Sequence, residues 1–445
     1  MATQLVFVTL FLGLISGPQR VDLQPGTAVK SIRILLDGNE VAALQKAPWS
    51  APVDFGPSIA PGDLVAIGYD ARGDEVARTS QTVNLPRPFA DFVIAVKNDA
   101  NGAPVSAELR WEHLQGAKPV KSSLQVDGKT VPLDGGLRAR LPHLDVNQPH
   151  VLSASMQFED GFLPRRELVI GGGVGDTADA LLTPVAVRQS GETPPSNPSS
   201  CFTSAGSLVR VSAVEKGRAI VIAVVDPDPR DAQKVLSVRL NPAMTVGPGV
   251  VDVRSLFTLP SGTWLQLLWP IAERYKTTSN ASAVMFPPST YAQATDVGFM
   301  WLLTRPYTGR FDKDVPRLFA DAAGVAGLDS ITGGNRRAVI VVLDHQNDSS
   351  SHDPGSIRGY LSSIGVPLYV WSVTGLRPEL EARWGEIDDI SSPAKLRIAT
   401  DRLRTDLETQ RVAWLATDAV AALRVQPTGR CNLTPLAQRP LVTTR

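Results

Sequence analysis

The chain has 445 residues, enough for two to four domains with sizeable cores. Hydrophobic residues make up 43% and charged residues 20%, which is globular and neither disordered nor membrane-like. Lys+Arg and Asp+Glu balance at 44 each, which excludes nucleic acid as a main partner, because phosphate binding needs clustered positive charge.

The first 17 residues are apolar from Leu5 to Ile15, too short to span a bilayer. They resemble the apolar core of a secretory signal, with Ser16 and Gly17 as small residues near a cleavage point. Neither a preceding Lys or Arg nor an A-x-A is present, and a buried first strand is the competing reading. No other segment is expected to cross a membrane, and export to the periplasm or cell surface is the expected localisation.

Residues 22–86 read as a first Ig-like β-sandwich. A strand over 29–36 runs into the turn Asp37-Gly38, and a strand pair spans 64–69 and 75–83, with Trp49 and Phe55 as core anchors. Arg72-Gly73-Asp74 falls in the second hairpin, where Gly and Asp serve the turn rather than a receptor. Pro86-Arg87-Pro88 is a stiff break.

Residues 89–187 repeat this style as a second sandwich, with strands over 92–97, 105–111, 124–126, 131–133, 151–158 and 166–170. Gly171-Gly172-Gly173-Val174-Gly175 lacks the Lys and the following helix of a phosphate loop and reads as a turn. Residues 188–200 have linker composition.

The style then changes. Residues 219–225 are an unbroken apolar strand ending in Asp226-Pro227-Asp228-Pro229-Arg230. Short strands follow at 263–269 and 284–286. The stretch 297–303 suits strand or helix, and 315–328 has helical periodicity. The stretch 336–374 reads strand, loop, helix, strand: an apolar run to Leu343, Asp344, a polar loop, a helix over 354–364, Gly365 as its stop, and a second apolar run. Continuous Val/Ile-rich runs suit parallel strands buried on both faces, with ligand chemistry at their carboxyl ends. Residues 393–411 form an amphipathic helix, and 432–445 a polar, loose tail.

Cys201 and Cys431 flank this region and suggest a disulfide clasp in an exported protein. None of the five histidines has a known metal-ligand spacing.

A strand ending in Asp, a later strand ending in Asp with a Ser-rich loop, then a helix and the strand VPLYVWSV resemble a von Willebrand factor A domain of the bacterial VWFA-related type. The resemblance implies a doubly wound, Rossmann-like α/β domain over 201–431 following the two Ig-like modules. It also implies protein binding through a metal-ion-dependent adhesion site, in which an Asp-x-Ser-x-Ser loop, a Thr and a second Asp hold Mg²⁺. Here Asp226 stands at the first Asp, Asp228 at the first Ser and Arg230 at the second. Val315-Pro316 replaces the Thr, and either Asp344 or His345 takes the last position.

The expectation is therefore a degenerate site with no metal and no cofactor. Were Mg²⁺ to bind, Asp226, Asp228 and Asp344 would hold it. The expected function is non-enzymatic adhesion to a protein partner, with Asp226, Asp228, Arg230, Asp344, His345 and Asp348 as the contact rim and Arg230 offering a charge. The alternatives are a hydrolase using the Asp/His loop from His345 to Asp353, or a structural envelope component.

Overall fold

The computed structural model describes residues 4–436 apart from 12, 87–89, 100–102, 146–147, 172–177, 192, 194, 196, 238–258, 277–280, 294–302, 310–314 and 345–347. The first module contains β1 (Leu5–Phe7), β2 (Pro18–Pro25), β3 (Ser31–Leu36), β4 (Asn39–Leu44), β5 (Ser50–Asp54), β6 (Gly62–Tyr69) and β7 (Glu75–Val83). Its two sheets, β1-β2-β5 and β4-β3-β6-β7, face each other over Val21, Ile32, Ile34, Val53, Leu64 and Val83. Asp37 and Gly38 both adopt positive φ, as a two-residue hairpin with matching twist requires. The apolar start of the chain belongs to this sandwich. Leu5 and Phe7 are core residues on a strand paired with β2, and Leu14 packs beside the helix carrying Gly324. In this structure residues 5–7 take the conformation of the competing reading, a buried strand whose alternation places Leu5 and Phe7 inward.

The second module has β8 (Ala90–Asn98), β9 (Pro104–His113), β10 (Pro119–Val126), β11 (Lys129–Val131), β12 (Arg138–Arg140), β13 (Pro149–Phe158), β14 (Arg165–Gly171) and β15 (Ala178–Gln189). The sheet β12-β9-β8 packs on β11-β10-β13-β14-β15 around Phe92, Leu124, Leu152, Met156 and Phe158. Of the glycine run, 172–175 lies outside the described residues, as do much of the 98–102 turn, Arg87-Pro88 and nearly all of 297–303. The 188–200 stretch opens as strand, because Arg188 and Gln189 complete β15, and it closes in a short 3-10 turn, Pro198–Ser200.

Beyond the linker come β16 (Phe202–Ser204), β17 (Ser207–Val209), β18 (Val211–Glu215), β19 (Ala219–Val224), α1 (Arg230–Ser237), β20 (Trp264–Leu268), β21 (Ala272–Lys276), β22 (Ala281–Met285) and β23 (Ala292–Gln293). They are followed by α2 (Phe319–Ile331), β24 (Arg336–Leu343), α3 (Pro354–Ser363), β25 (Leu368–Ser372), α4 (Pro378–Trp384), β26 (Asp388–Asp389) and α5 (Pro393–Thr409). The chain ends in β27 (Gln410–Ala416), α6 (Ala419–Leu423), β28 (Gln426–Pro427) and β29 (Leu433–Pro435). A six-stranded sheet runs β23-β20-β19-β24-β25-β26, parallel except for β23. Strand alternation sends Val339, Val341 and Leu343 to the face covered by α2 and α3, and Ala338, Ile340 and Val342 to the face covered by α5.

The expected fold class, two Ig-like sandwiches followed by a separate doubly wound vWA-type domain, is corrected. Strand occupies 45% of the described residues and helix 17%, so the fold is rich in β-sandwich. The parallel layer is an insertion between strands of an antiparallel sheet. The strand before it, β18, and the strand after it, β27, both lie in the second module's sheet, which continues β14-β15-β27-β18. The reason is β27. Its apolar run Val412–Leu415 follows α5 directly and pairs along the whole inner half of β15, burying Trp414 and Leu415. β29 joins the same strand, with Leu433 fully buried, so the segment after 432 is structured rather than loose as far as Leu436. Cys201 and Cys431 form the expected disulfide beside this junction.

Candidate functional site

Two places on the inserted layer carry polar chemistry. The first is the carboxyl end of β19 and β24, where the sequence placed its contact rim. These strands are neighbours with Val224 opposite Val341, so Asp226 and Asp344 emerge side by side. Both are nearly fully buried. One oxygen of Asp226 accepts from the Asp228 N–H at 2.7 Å, and the other from Arg317 Nε at 2.9 Å. Arg317 is itself only 3% exposed, and its Nη1 donates to the Val315 carbonyl at 2.7 Å. Burial pushes the Asp226 carboxyl above its usual range, against the pull of the Asp228 N–H and the Arg317 cation.

Arg317 is the residue that sequence reasoning missed. Arg230, expected to supply the charge in this gap, turns outward and forks onto Asp228 at 2.8 and 3.0 Å. Arg317 directly follows Val315-Pro316, which stand where the resemblance asks for Thr. The only local signal is a basic residue just ahead of a helix start.

The remaining loop residues hold helix starts. Asp348 Oδ1 accepts from the Phe319 N–H and from Ser350, and Ser350 Oγ accepts from the N–H groups of Ala320 and Asp321. These are the orphan donors of the first turn of α2. Arg383 lies 3.6 Å from the other Asp348 oxygen. Asp321 in turn accepts from the backbone N–H groups of Ser351 and His352 and contacts His352 Nδ1 at 2.7 Å. Asp353 caps α3 through the Ser356 N–H. The Asp344 carbonyl accepts from Arg377. His345 lies outside the described residues.

These residues do not fit Mg²⁺. The ion needs several free oxygens in octahedral array, and both Asp226 oxygens are engaged, one by a buried cation. Among the described residues, no three His, Cys, Asp or Glu side chains gather as a metal-binding group.

The second place is a cleft of about 810 Å³ at the opposite, amino end of the parallel strands, against the edge of the second module. Trp264 begins β20 on its wall, and Tyr291 meets it edge-on with centroids 6.1 Å apart. Arg218 stacks over the Trp264 ring at 4.9 Å. Gln157, Gln266, Asn335, Asp160 and Asp329 are among the residues that line the remainder, together with apolar side chains such as Val120, Phe158 and Ile220. Asp160 is held by His113 Nε2 at 3.0 Å and by the Phe162 N–H. Asp329 lies in the last turn of α2. It keeps solvent-accessible surface, yet the walls around it desolvate its carboxyl and raise it to about 6. Burial, with Asp329 nearby, lifts the Tyr291 hydroxyl to about 12. No local motif marks this cleft, because its walls come from six separate stretches of chain.

No family model matches the chain, and no curated protein matches it. Solved structures do. Fibronectin(III)-like modules of Clostridium thermocellum CbhA align at 11% identity and a TM-score of 0.16, covering 39% of this chain and 97% of theirs. The central fibronectin-III array of RIM-binding protein aligns at 11% identity and a TM-score of 0.20, covering 45% and 81%. The Bacteroides ovatus protein SGBP-B, solved with a mixed-linkage heptasaccharide, aligns at 8% identity and a TM-score of 0.13, covering 68% and 95%. At these scores the likeness carries no argument about ligand or activity.

Proposed function

We propose that this chain is a non-enzymatic, exported binding protein whose cleft between the second β module and the parallel sheet takes a saccharide. The observation that carries the reading is the cleft's composition. An aromatic pair, Trp264 and Tyr291, offers ring surface to the C–H faces of a sugar. The amides and carboxyls beside it supply directional partners for hydroxyl groups. A concave recess of this volume suits a ligand of a few sugar units better than a flat protein partner. The disulfide supports export, since such bonds persist in oxidising compartments. Among the described residues, no helix is long and apolar enough to cross a membrane.

The rim at the other end of the strands is a weaker place for a partner. Its charges answer one another: Asp226 with Arg317, Asp228 with Arg230, Asp348 with Arg383. A hydrolase built on the 345–353 loop gains no support from Asp348, His352 and Asp353, which are spent on helix starts and the contact with Asp321.

The test is titration of the full chain with soluble oligosaccharides of glucan, xylan and chitin type, read by tryptophan fluorescence and calorimetry. At least one class is expected to bind saturably, and Trp264→Ala to abolish it while the variant still unfolds cooperatively, at a Tm lowered by the lost packing of the ring. Silence across the panel, or unchanged binding by Trp264→Ala, overturns the reading. A product released from a bound oligosaccharide would replace it with an enzyme.

A further inference from the structure

A second, smaller cavity of about 180 Å³ lies where the two β modules meet the inserted layer. Its walls are mostly apolar: Leu85, Phe162, Leu182, Ile331, Trp414 and Leu423. The turn before β24 brings the backbone close here. Gly333 and Gly334 both have positive φ, and a Cβ on Gly334 would stand 3.0 Å from Pro184 and from Trp414. The same turn separates this cavity from the larger cleft, since Phe162, Thr332 and Gly333 line both.

One cation lies in this apolar wall. Arg337 is 2% exposed, on the second position of β24. Its Nε donates to the Asn335 carbonyl at 3.2 Å, while Nη2 has no hydrogen-bond partner. The carboxylate that also lines the cavity, Asp91, is already gripped by Arg166 at 3.0 and 3.1 Å. Burial alone lowers the Arg337 pKa, to about 10, so the side chain remains a cation at neutral pH. An isolated buried charge is costly, and an unmet donor on it adds the full desolvation penalty. Trp414 offers it no acceptor, since an indole carries only a donor, here given to Glu215 at 3.0 Å, and Arg165 lies over its ring at 4.5 Å.

We propose that this cavity binds a small monocarboxylate with an apolar body, the carboxylate on the Arg337 guanidinium and the body against Trp414 and Leu423. A carboxylate supplies both things the cation lacks, a counter-charge and a second acceptor, in the geometry a guanidinium prefers. The apolar wall selects the rest of the molecule: an aromatic or short aliphatic acid, not a sugar acid or a phosphate. This site is independent of the saccharide reading, and either can fail alone.

The test is calorimetry of the full chain with sodium benzoate and with its neutral counterpart, benzyl alcohol. Benzoate is expected to bind saturably, and benzyl alcohol roughly tenfold more weakly or worse, the loss that follows when a charge-assisted bond is forfeited. Arg337→Met should bring benzoate down to the level of the alcohol. Leu423→Trp, which fills the cavity while leaving the cation, should remove both ligands and decides the matter if Arg337→Met does not fold. Absence of benzoate binding, equal affinity for the two ligands, or binding untouched by Leu423→Trp overturns the proposal.

Discussion

Arg317 Nε donates to Asp226 Oδ2 at 2.9 Å in a pair of which neither side chain is more than 4% exposed. An internal cation thus answers the acidic end of the central strand. Breaking a buried pair from one side is expensive, because the partner keeps its charge and loses its answer. Arg317→Met is expected to destabilise the protein by about 3–5 kcal/mol, and Asp226→Asn combined with Arg317→Met to recover most of that loss. Chemical denaturation of the three proteins measures this. Mg²⁺ added to the unaltered protein is expected to leave Tm where it was. A rise in Tm would mean that the ion displaces the guanidinium.

Tyr360 ties the first sandwich to the inserted layer. Its buried hydroxyl donates to the Asn84 carbonyl at 2.8 Å across a separation of 276 residues, and burial raises its pKa. Tyr360→Phe leaves that carbonyl without its donor. A loss of about 1–3 kcal/mol is expected, together with faster proteolytic cutting near residue 85. Unchanged Tm and cutting rate would show the hydroxyl to be idle.

The Cys201–Cys431 bond closes a separation of 230 residues. In the chain-entropy model a loop of that length is worth at most about 5 kcal/mol. The double Cys→Ala variant should therefore show a lower Tm under oxidising conditions, and the unaltered protein should fall to the same value in reductant. Two different values would place part of the effect in packing around Cys201 rather than in the cross-link.

Asp329 sets a pH dependence. Its folded-state pKa is about 6 against an ordinary 3.8, so the folded state holds the proton more tightly. Stability from this group is fully present below pH 3.8 and is lost as pH rises through about 6. Asp329→Asn is expected to be the more stable protein above pH 6, with the difference vanishing below pH 3.8. Because the residue keeps solvent-accessible surface, the effect should be small, and Tm against pH for both proteins reads it. A gap that widens at low pH would contradict the assignment.

Much of the local structure could be read directly from the sequence. The expected strand at 338–343 lies within Arg336–Leu343, the helix at 354–364 within one residue of Pro354–Ser363, and the helix at 393–411 over Pro393–Thr409. The turn at Asp37-Gly38 and the Cys201–Cys431 pair were legible too. All of these depend on neighbours in sequence, on period and turn chemistry, or, for the pair, on there being two cysteines. What the tertiary structure alone decided was partnership. β27 pairs with β15 rather than with the parallel strands beside it in sequence, which makes the α/β layer an insertion and not a separate domain. Arg317 rather than Arg230 answers Asp226, and Arg337 comes to lie in an apolar wall. A charge declares its partner only when folding removes the water around it, and that depends on residues up to hundreds of positions away.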